Sequence, residues 1–158
     1  MEHHHPGLPG LPPALARRLG AVLGLAAQMA QEVANQALEP LGLTVKHFGV
    51  MTFLRPETEP DGERGSLSQQ AIGERLRIDR TTMVSLIDDL ERAGYVKRER
   101  NPDDRRAYVI TLTAAGKQAQ ARAEEAVDAH ALQFFGQISE AERQELHRLL
   151  ARLIERSE

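Results

Sequence analysis

Between residues 67 and 112, two short amphipathic segments separated only by Arg77-Ile78 run directly into two β-prone segments folded about Asn101-Pro102-Asp103-Asp104. Few folds accommodate that order. Leu67-Ser68 opens the first segment, with Ser68 placed as its N-cap and Ala71, Ile72 and Leu76 at helical spacing on the inner face. Asp79 is placed to cap the second, residues 80–93, and Gly94 stands where a helix C-terminus favours glycine. In that second helix Met83, Leu86, Ile87 and Leu90 form one apolar stripe. Arg80, Thr81, Thr82 and Ser85 fall on the other side, near the N-terminus. Residues 95–100 and 105–112 read as the strands of a hairpin, with Tyr108, Ile110 and Leu112 on its buried face.

The flanking sequence is helical. Leu15, Leu19, Val22, Ala26, Met29 and Val33 recur in steps of three and four, predicting one helix of about 25 residues that Glu39-Pro40 ends. Thr44 is placed to cap a helix over 45–54, which Arg55-Pro56 closes; a polar loop with Pro60, Gly62 and Gly65 follows. Thr113 opens a long Ala-rich helix to about Phe135. Ser139 and Glu142 form a capping box for a last helix, 140–155, with Leu146, Leu149, Leu150, Leu153 and Ile154 as its apolar positions. Helices this long are hard to bury around a small three-helix core. The expectation is therefore a mainly α chain: a winged helix-turn-helix region with a small β-hairpin wing over 44–112, and N- and C-terminal helices, 14–43 and 113–158, forming a dimerisation domain. Residues 1–13, rich in Pro and Gly, are expected to be a flexible tail, and His3, His4 and His5 on it receive no role.

Composition narrows the chemistry. The absence of Cys removes disulfides, thiolate metal sites and Cys nucleophiles. Only 4% of residues are aromatic and none is Trp, so the core must be aliphatic. No apolar run approaches the ~18 residues of a membrane span, and the N-terminus lacks the basic and apolar regions of a signal peptide. A cytoplasmic protein with no membrane partner is expected. There is no P-loop, Gly-rich dinucleotide fingerprint or Ser nucleophile elbow. Glu124-Glu125 and Asp88-Asp89 are adjacent on helices and cannot face a common bond. No catalytic residue, cofactor or enzyme activity is expected. His47, His130 and His147 lack the i, i+4 spacing of paired ligands, so no metal site is expected either.

Net charge is −3, but its distribution is uneven. Arg75, Arg77, Arg80, Lys97, Arg98, Arg100, Arg105 and Arg106 gather around the helix pair and hairpin, while acidic residues weigh on the C-terminal part. A helix-turn-helix places its second helix in the DNA major groove. Arg80, Thr81, Thr82 and Ser85 would reach base edges and phosphates there, and the positive end of the helix dipole favours phosphate. Arg105 and Arg106 near the hairpin tip suit a narrow minor groove, and Asp104 is close enough in sequence to hold one guanidinium in place. Two-fold DNA sites call for a two-fold protein, so the expected partners are double-stranded DNA and a second copy of the chain. The alternative is a winged helix used for protein contacts without DNA readout.

The stretch Leu67 to Lys117 resembles the MarR family of bacterial winged-helix regulators. The resemblance lies in Leu67-Ser68-Gln69-Gln70-Ala71-Ile72-Gly73, in Ile78-Asp79-Arg80-Thr81-Thr82-Met83-Val84, in Leu90-Glu91-Arg92-Ala93-Gly94-Tyr95-Val96, and most specifically in Asn101-Pro102-Asp103-Asp104-Arg105-Arg106. It implies a homodimer joined through the first and last two helices and a near-palindromic operator. It also implies a repressor released by a small, commonly anionic or aromatic effector. Thr81, Thr82 and Ser85 would read bases, and Arg106 would enter the minor groove with Asp104 in support. An effector cleft would draw on Met29, His47, Phe48 and Met51. Many members carry a longer basic or polar side chain where this chain has Ser85, so readout is expected to lean on Arg80, Thr82 and the wing.

Overall fold

Residues 8, 10–55 and 68–155 are described in this computed structural model. The expected loop at 57–65, the position of Leu67 and the histidines His3, His4 and His5 lie outside them. In chain order the elements are α1 (Pro13–Ala16), α2 (Leu19–Leu38), a 3-10 turn (Glu39–Leu41), α3 (Val45–Phe53), α4 (Gln69–Leu76), α5 (Arg80–Arg92), β1 (Val96–Arg100), β2 (Tyr108–Leu112), α6 (Ala114–Phe135) and α7 (Glu140–Glu155). The mainly helical chain with one small hairpin is the expected fold.

Side-chain caps set most of the boundaries. The Thr44 hydroxyl accepts from His47 N–H and the His47 ring accepts from Thr44 N–H, a reciprocal box at the start of α3. Ser68 accepts from Ala71 N–H, and Asp79 from Thr82 N–H. Arg77 closes α4 in the left-handed region at φ 52°. Gly94 closes α5 at φ 76°, with Gly94 N–H bonded to Glu91 O and Tyr95 N–H to Leu90 O. That pair of bonds is the Schellman arrangement, in which glycine meets the positive φ without a Cβ clash. At α7, Ser139 and Glu142 form the predicted box.

The predicted first helix is divided. The chain breaks at Arg17-Arg18, leaving the single turn α1 ahead of α2. None of α1's residues is buried, so only local hydrogen bonds hold that turn. The predicted apolar stripe is also uneven: Val22, Ala26 and Val33 are half-buried, whereas Leu15, Leu19 and Met29 are exposed.

The chain forms two compact units. One is Asn35–Ala129; the other carries α1, α2 up to Ala34, and the chain from His130 onward. These borders fall inside the two long helices, whereas the sequence reading sets region edges at 43/44 and 112/113. In the first unit Leu38, Leu43, Val50, Met51, Leu54, Ile72, Met83, Leu86, Ile87, Leu90, Val96, Ile110, Leu112, Ala119 and Ala123 form one aliphatic core. Every helix from α3 to α6 contributes to it. Gln120 is buried beside them, donating to the Thr52 hydroxyl at 3.4 Å.

β1 and β2 pair antiparallel from Val96↔Leu112 to Arg100↔Tyr108. The strands are shorter than predicted, and Arg105 and Arg106 belong to the tip. Ile110 and Leu112 are buried as expected, but Tyr108 is 52% exposed, because the far end of the hairpin extends past the core.

Gly116 is required by close approach. A Cβ on Gly116 would stand 1.9 Å from Tyr95 O, a backbone atom that cannot swing aside. Gly116→Ala should therefore destabilise the chain by about 1–3 kcal/mol, the usual cost of overpacking. Gly49→Ala is the control, since its Cβ would meet only Leu76 side-chain carbons, at 3.6 Å or more. It should be neutral or stabilising by about 0.5–1 kcal/mol through helix propensity. Urea denaturation of both variants checks this; equal effects would overturn the Tyr95–Gly116 contact.

Candidate nucleic-acid interface

The candidate interface begins where α5 begins. Asp79 accepts from Thr82 N–H at 2.9 Å and from the Thr82 hydroxyl at 2.6 Å. The hydroxyl bond and then the backbone bond hold the Asp79 carboxyl below its ordinary pKa. Its capping contribution is thus present above that ordinary value and is lost as pH falls through the lowered one. The same geometry fixes Thr82: its hydroxyl hydrogen is engaged locally, leaving oxygen lone pairs for other donors. Arg80, Thr81 and Ser85 are exposed, and their side chains have no hydrogen-bonding partner among the described residues. Met83, Leu86, Ile87 and Leu90 are buried against the core. The helix therefore presents a polar, partly cationic face at its positive end.

The wing tip is organised by side-chain acceptors. Asn101 N–H bonds Ala107 O at 2.9 Å and Ala107 N–H bonds Asp104 O at 3.0 Å, closing the loop. Asn101 Oδ1 accepts from Asp103 N–H, and Asp104 Oδ1 accepts from Arg106 N–H at 3.0 Å. Asp104 was expected to hold an arginine head; it holds the Arg106 backbone instead. The side-chain oxygen two residues back reaches the main chain more readily than a guanidinium at the end of a long stem. Among the described residues, Arg105 and Arg106 make no ion pair and stand exposed.

Cations of the expected basic edge are also engaged within the chain. Lys97 pairs with Glu99 at 2.5 Å. Arg98 of β1 reaches across to α5, bonding Asp88 at 2.5 Å and also Glu91. The Asp88 bond is the largest cause raising the Arg98 pKa; partial burial opposes it, and the charges of Glu91 and Asp88 add to it. Arg98 thus clasps α5 to β1, a role the sequence reading missed. The available signal was two carboxylates at i, i+3 on one helix face, followed seven residues later by an arginine.

His47 of α3 faces the same helix. Its Nδ1 accepts from Thr44 N–H at 3.1 Å. Nε2 lies 3.5 Å from Asp89 Oδ2, at ion-pair distance but without a closed hydrogen bond. Asp89 also pairs with Arg92 at 3.0 Å. Of the other expected cleft residues, Phe48 is half-buried against the core, Met29 is exposed on α2, and Met51 is wholly enclosed. Met51 is a packing residue and cannot wall an open cleft. Among the described residues no three His, Asp or Glu side chains gather where they could hold a metal ion, and no helix is long and apolar enough to cross a membrane.

A model of the MarR family matches residues 41–107, which include α3, α4, α5 and most of the wing. A Thauera aromatica protein named for transcriptional regulation of the hcr operon is 40% identical over 87 residues, 55% of this chain. The match covers 52% of that protein, so the chain spans about half the length of such curated relatives. The repressor CouR bound to a 23-mer DNA duplex superposes with a TM-score of 0.78 at 29% identity, covering 90% of this chain and 96% of that one. CouR from Rhodococcus jostii RHA1 bound to p-coumaroyl-CoA gives a TM-score of 0.73 at 27% identity, covering 90% and 95%.

The clasp is testable by a double-mutant cycle. Arg98→Ala and Asp88→Asn should each lower stability by roughly 1 kcal/mol, with a coupling of similar size that shrinks as salt is added. Strictly additive effects in urea denaturation would remove the clasp.

Proposed function

We propose that the chain, whose residues 41–107 match a model of the MarR family, is a member of that family and a sequence-specific DNA-binding transcriptional regulator working as a cytoplasmic homodimer. One observation carries this reading. Within a single compact unit, Arg80, Thr81 and Ser85 at the positive end of α5 and Arg105 and Arg106 at the wing tip are exposed and without partners among the described residues. Elsewhere on the same unit, Arg98, Lys97 and Arg55 are neutralised by carboxylates. Cations left unpaired at a helix N-terminus and a hairpin tip match the two features that dock a winged helix, one in the major groove and one in the minor groove. The structural likeness to CouR bound to a DNA duplex supports the same docking.

Dimerisation is proposed from the apolar residues that α2, α6 and α7 leave uncovered. Leu19 is 79% and Ile154 72% exposed, and Leu132 and Leu153 are exposed with them. α7 buries no residue at all within one chain. Surfaces of this kind mark association sites. A two-fold pair of recognition helices would then read a near-palindromic operator, with half-sites about one DNA turn, ~34 Å, apart.

The mode of regulation proposed is repression relieved by a small anionic effector. CouR, named as a repressor, has been captured with an aromatic acyl-CoA, and an effector works by favouring a dimer whose reading heads are misplaced. His47 and Phe48 on α3 are the proposed effector contacts, because α3 packs directly on α4 and α5. Movement of α3 therefore reaches the recognition helix.

Sedimentation should give twice the chain mass of 17.5 kDa. Arg106→Ala should weaken duplex binding roughly tenfold and reduce its salt dependence, with mass and melting temperature unchanged. A monomer would overturn the dimer, and unchanged affinity would overturn the wing contact.

A further inference from the structure

The recognition helix is sorted with one exception. Four of its five apolar residues, Met83, Leu86, Ile87 and Leu90, are at most 6% exposed, but Val84 is 40% exposed. With successive residues about 100° apart around a helix, Val84 falls between Arg80 and Thr81 and within one turn of Ser85. It therefore sits inside the polar face, in the first two turns, where α5 is closest to any docked groove. Nothing in the fold accounts for valine there. It belongs to neither the core nor the partly buried shell around it. An exposed β-branched residue in a helix also gives up propensity that alanine or arginine would keep.

We propose that Val84 is a specificity-determining residue that reads the 5-methyl group of a thymine in the major groove. Among the four bases only thymine presents an apolar group on that edge. Valine is suited to meet it, because one χ1 rotamer dominates in a helix and both γ-methyls are held in place before binding. The neighbours complete the reading: Arg80 and Ser85 offer donors to bases or phosphates on either side, and Thr81 offers a hydroxyl. The inference rests on the DNA-reading role proposed above and adds to it the chemical class of one contacted base, a 5-methylpyrimidine.

The test uses the full chain and a duplex it selects from a random pool. Each thymine of a half-site is replaced in turn by deoxyuridine, which keeps base pairing and removes only the methyl. Wild-type protein should lose about fourfold in affinity at one thymine per half-site, the value of burying a single methyl group, and more than tenfold when both half-sites are substituted. Val84→Ser should bind the thymine and uracil duplexes equally, with an unchanged melting temperature, and Val84→Ala should show a reduced preference. Wild-type indifference to every substitution overturns the proposal, as does a selected half-site without a constant thymine. So does a Val84→Ser variant that keeps the full thymine preference. In those three cases DNA reading itself stands. Failure to select any duplex overturns both.

Discussion

At Gly94 and Tyr95 the chain leaves α5, and two backbone carbonyls there fix everything that follows. Tyr95 O accepts from Thr113 N–H at 3.0 Å, and Gly94 O accepts from the Thr113 hydroxyl at 2.6 Å. That same hydroxyl accepts from Gly116 N–H and so opens α6. Gly116 carries no Cβ because Tyr95 O occupies its place. The end of α5, the start of β1, the end of β2 and the start of α6 are thereby joined by one backbone bond and two bonds of the Thr113 hydroxyl.

A two-stranded hairpin is marginal alone, and the junction holds only its base. Ile110 and Leu112 anchor the lower part in the core. Arg98 adds a second point of attachment halfway along β1, where Asp88 and Glu91 meet it. Beyond that point Tyr108 is exposed, and the tip is shaped by the Asn101 and Asp104 side chains accepting from nearby N–H groups and by the backbone bonds that close it at Ala107. Attachment to the core thus declines from base to tip, while the uncommitted cations lie at the far end. The acidic residues of α5, which offer nothing to a polyanion, contribute through Asp88 and Glu91, which fix the helix against β1.

Much of this was legible in the sequence because it is local. Caps at Thr44, Ser68, Asp79, Thr113 and Ser139 act over three residues, and each bond forms as the spacing foretells. The buried face of α5 followed from period alone. What escaped depends on contacts distant in sequence or on a competition between near-equal local partners. The Arg98 clasp needs β1 to return across α5. Asp104 had a backbone N–H and a guanidinium within reach, and the pattern could not rank them. Met51 looked like a cleft residue, but it lies wholly enclosed in the aliphatic core. The break at Arg17-Arg18 reflects missing burial, which periodicity does not report.

The central claim is that α5 and the wing form a DNA-reading head that works in two-fold pairs. Selection of bound duplexes from a randomised pool, followed by affinity against salt for the winner, tests it most directly. A near-palindromic sequence with half-sites about one helical turn apart, and affinity falling steeply as salt rises, is the predicted result. An intact dimer that enriches no sequence, or binds every duplex equally, would contradict it.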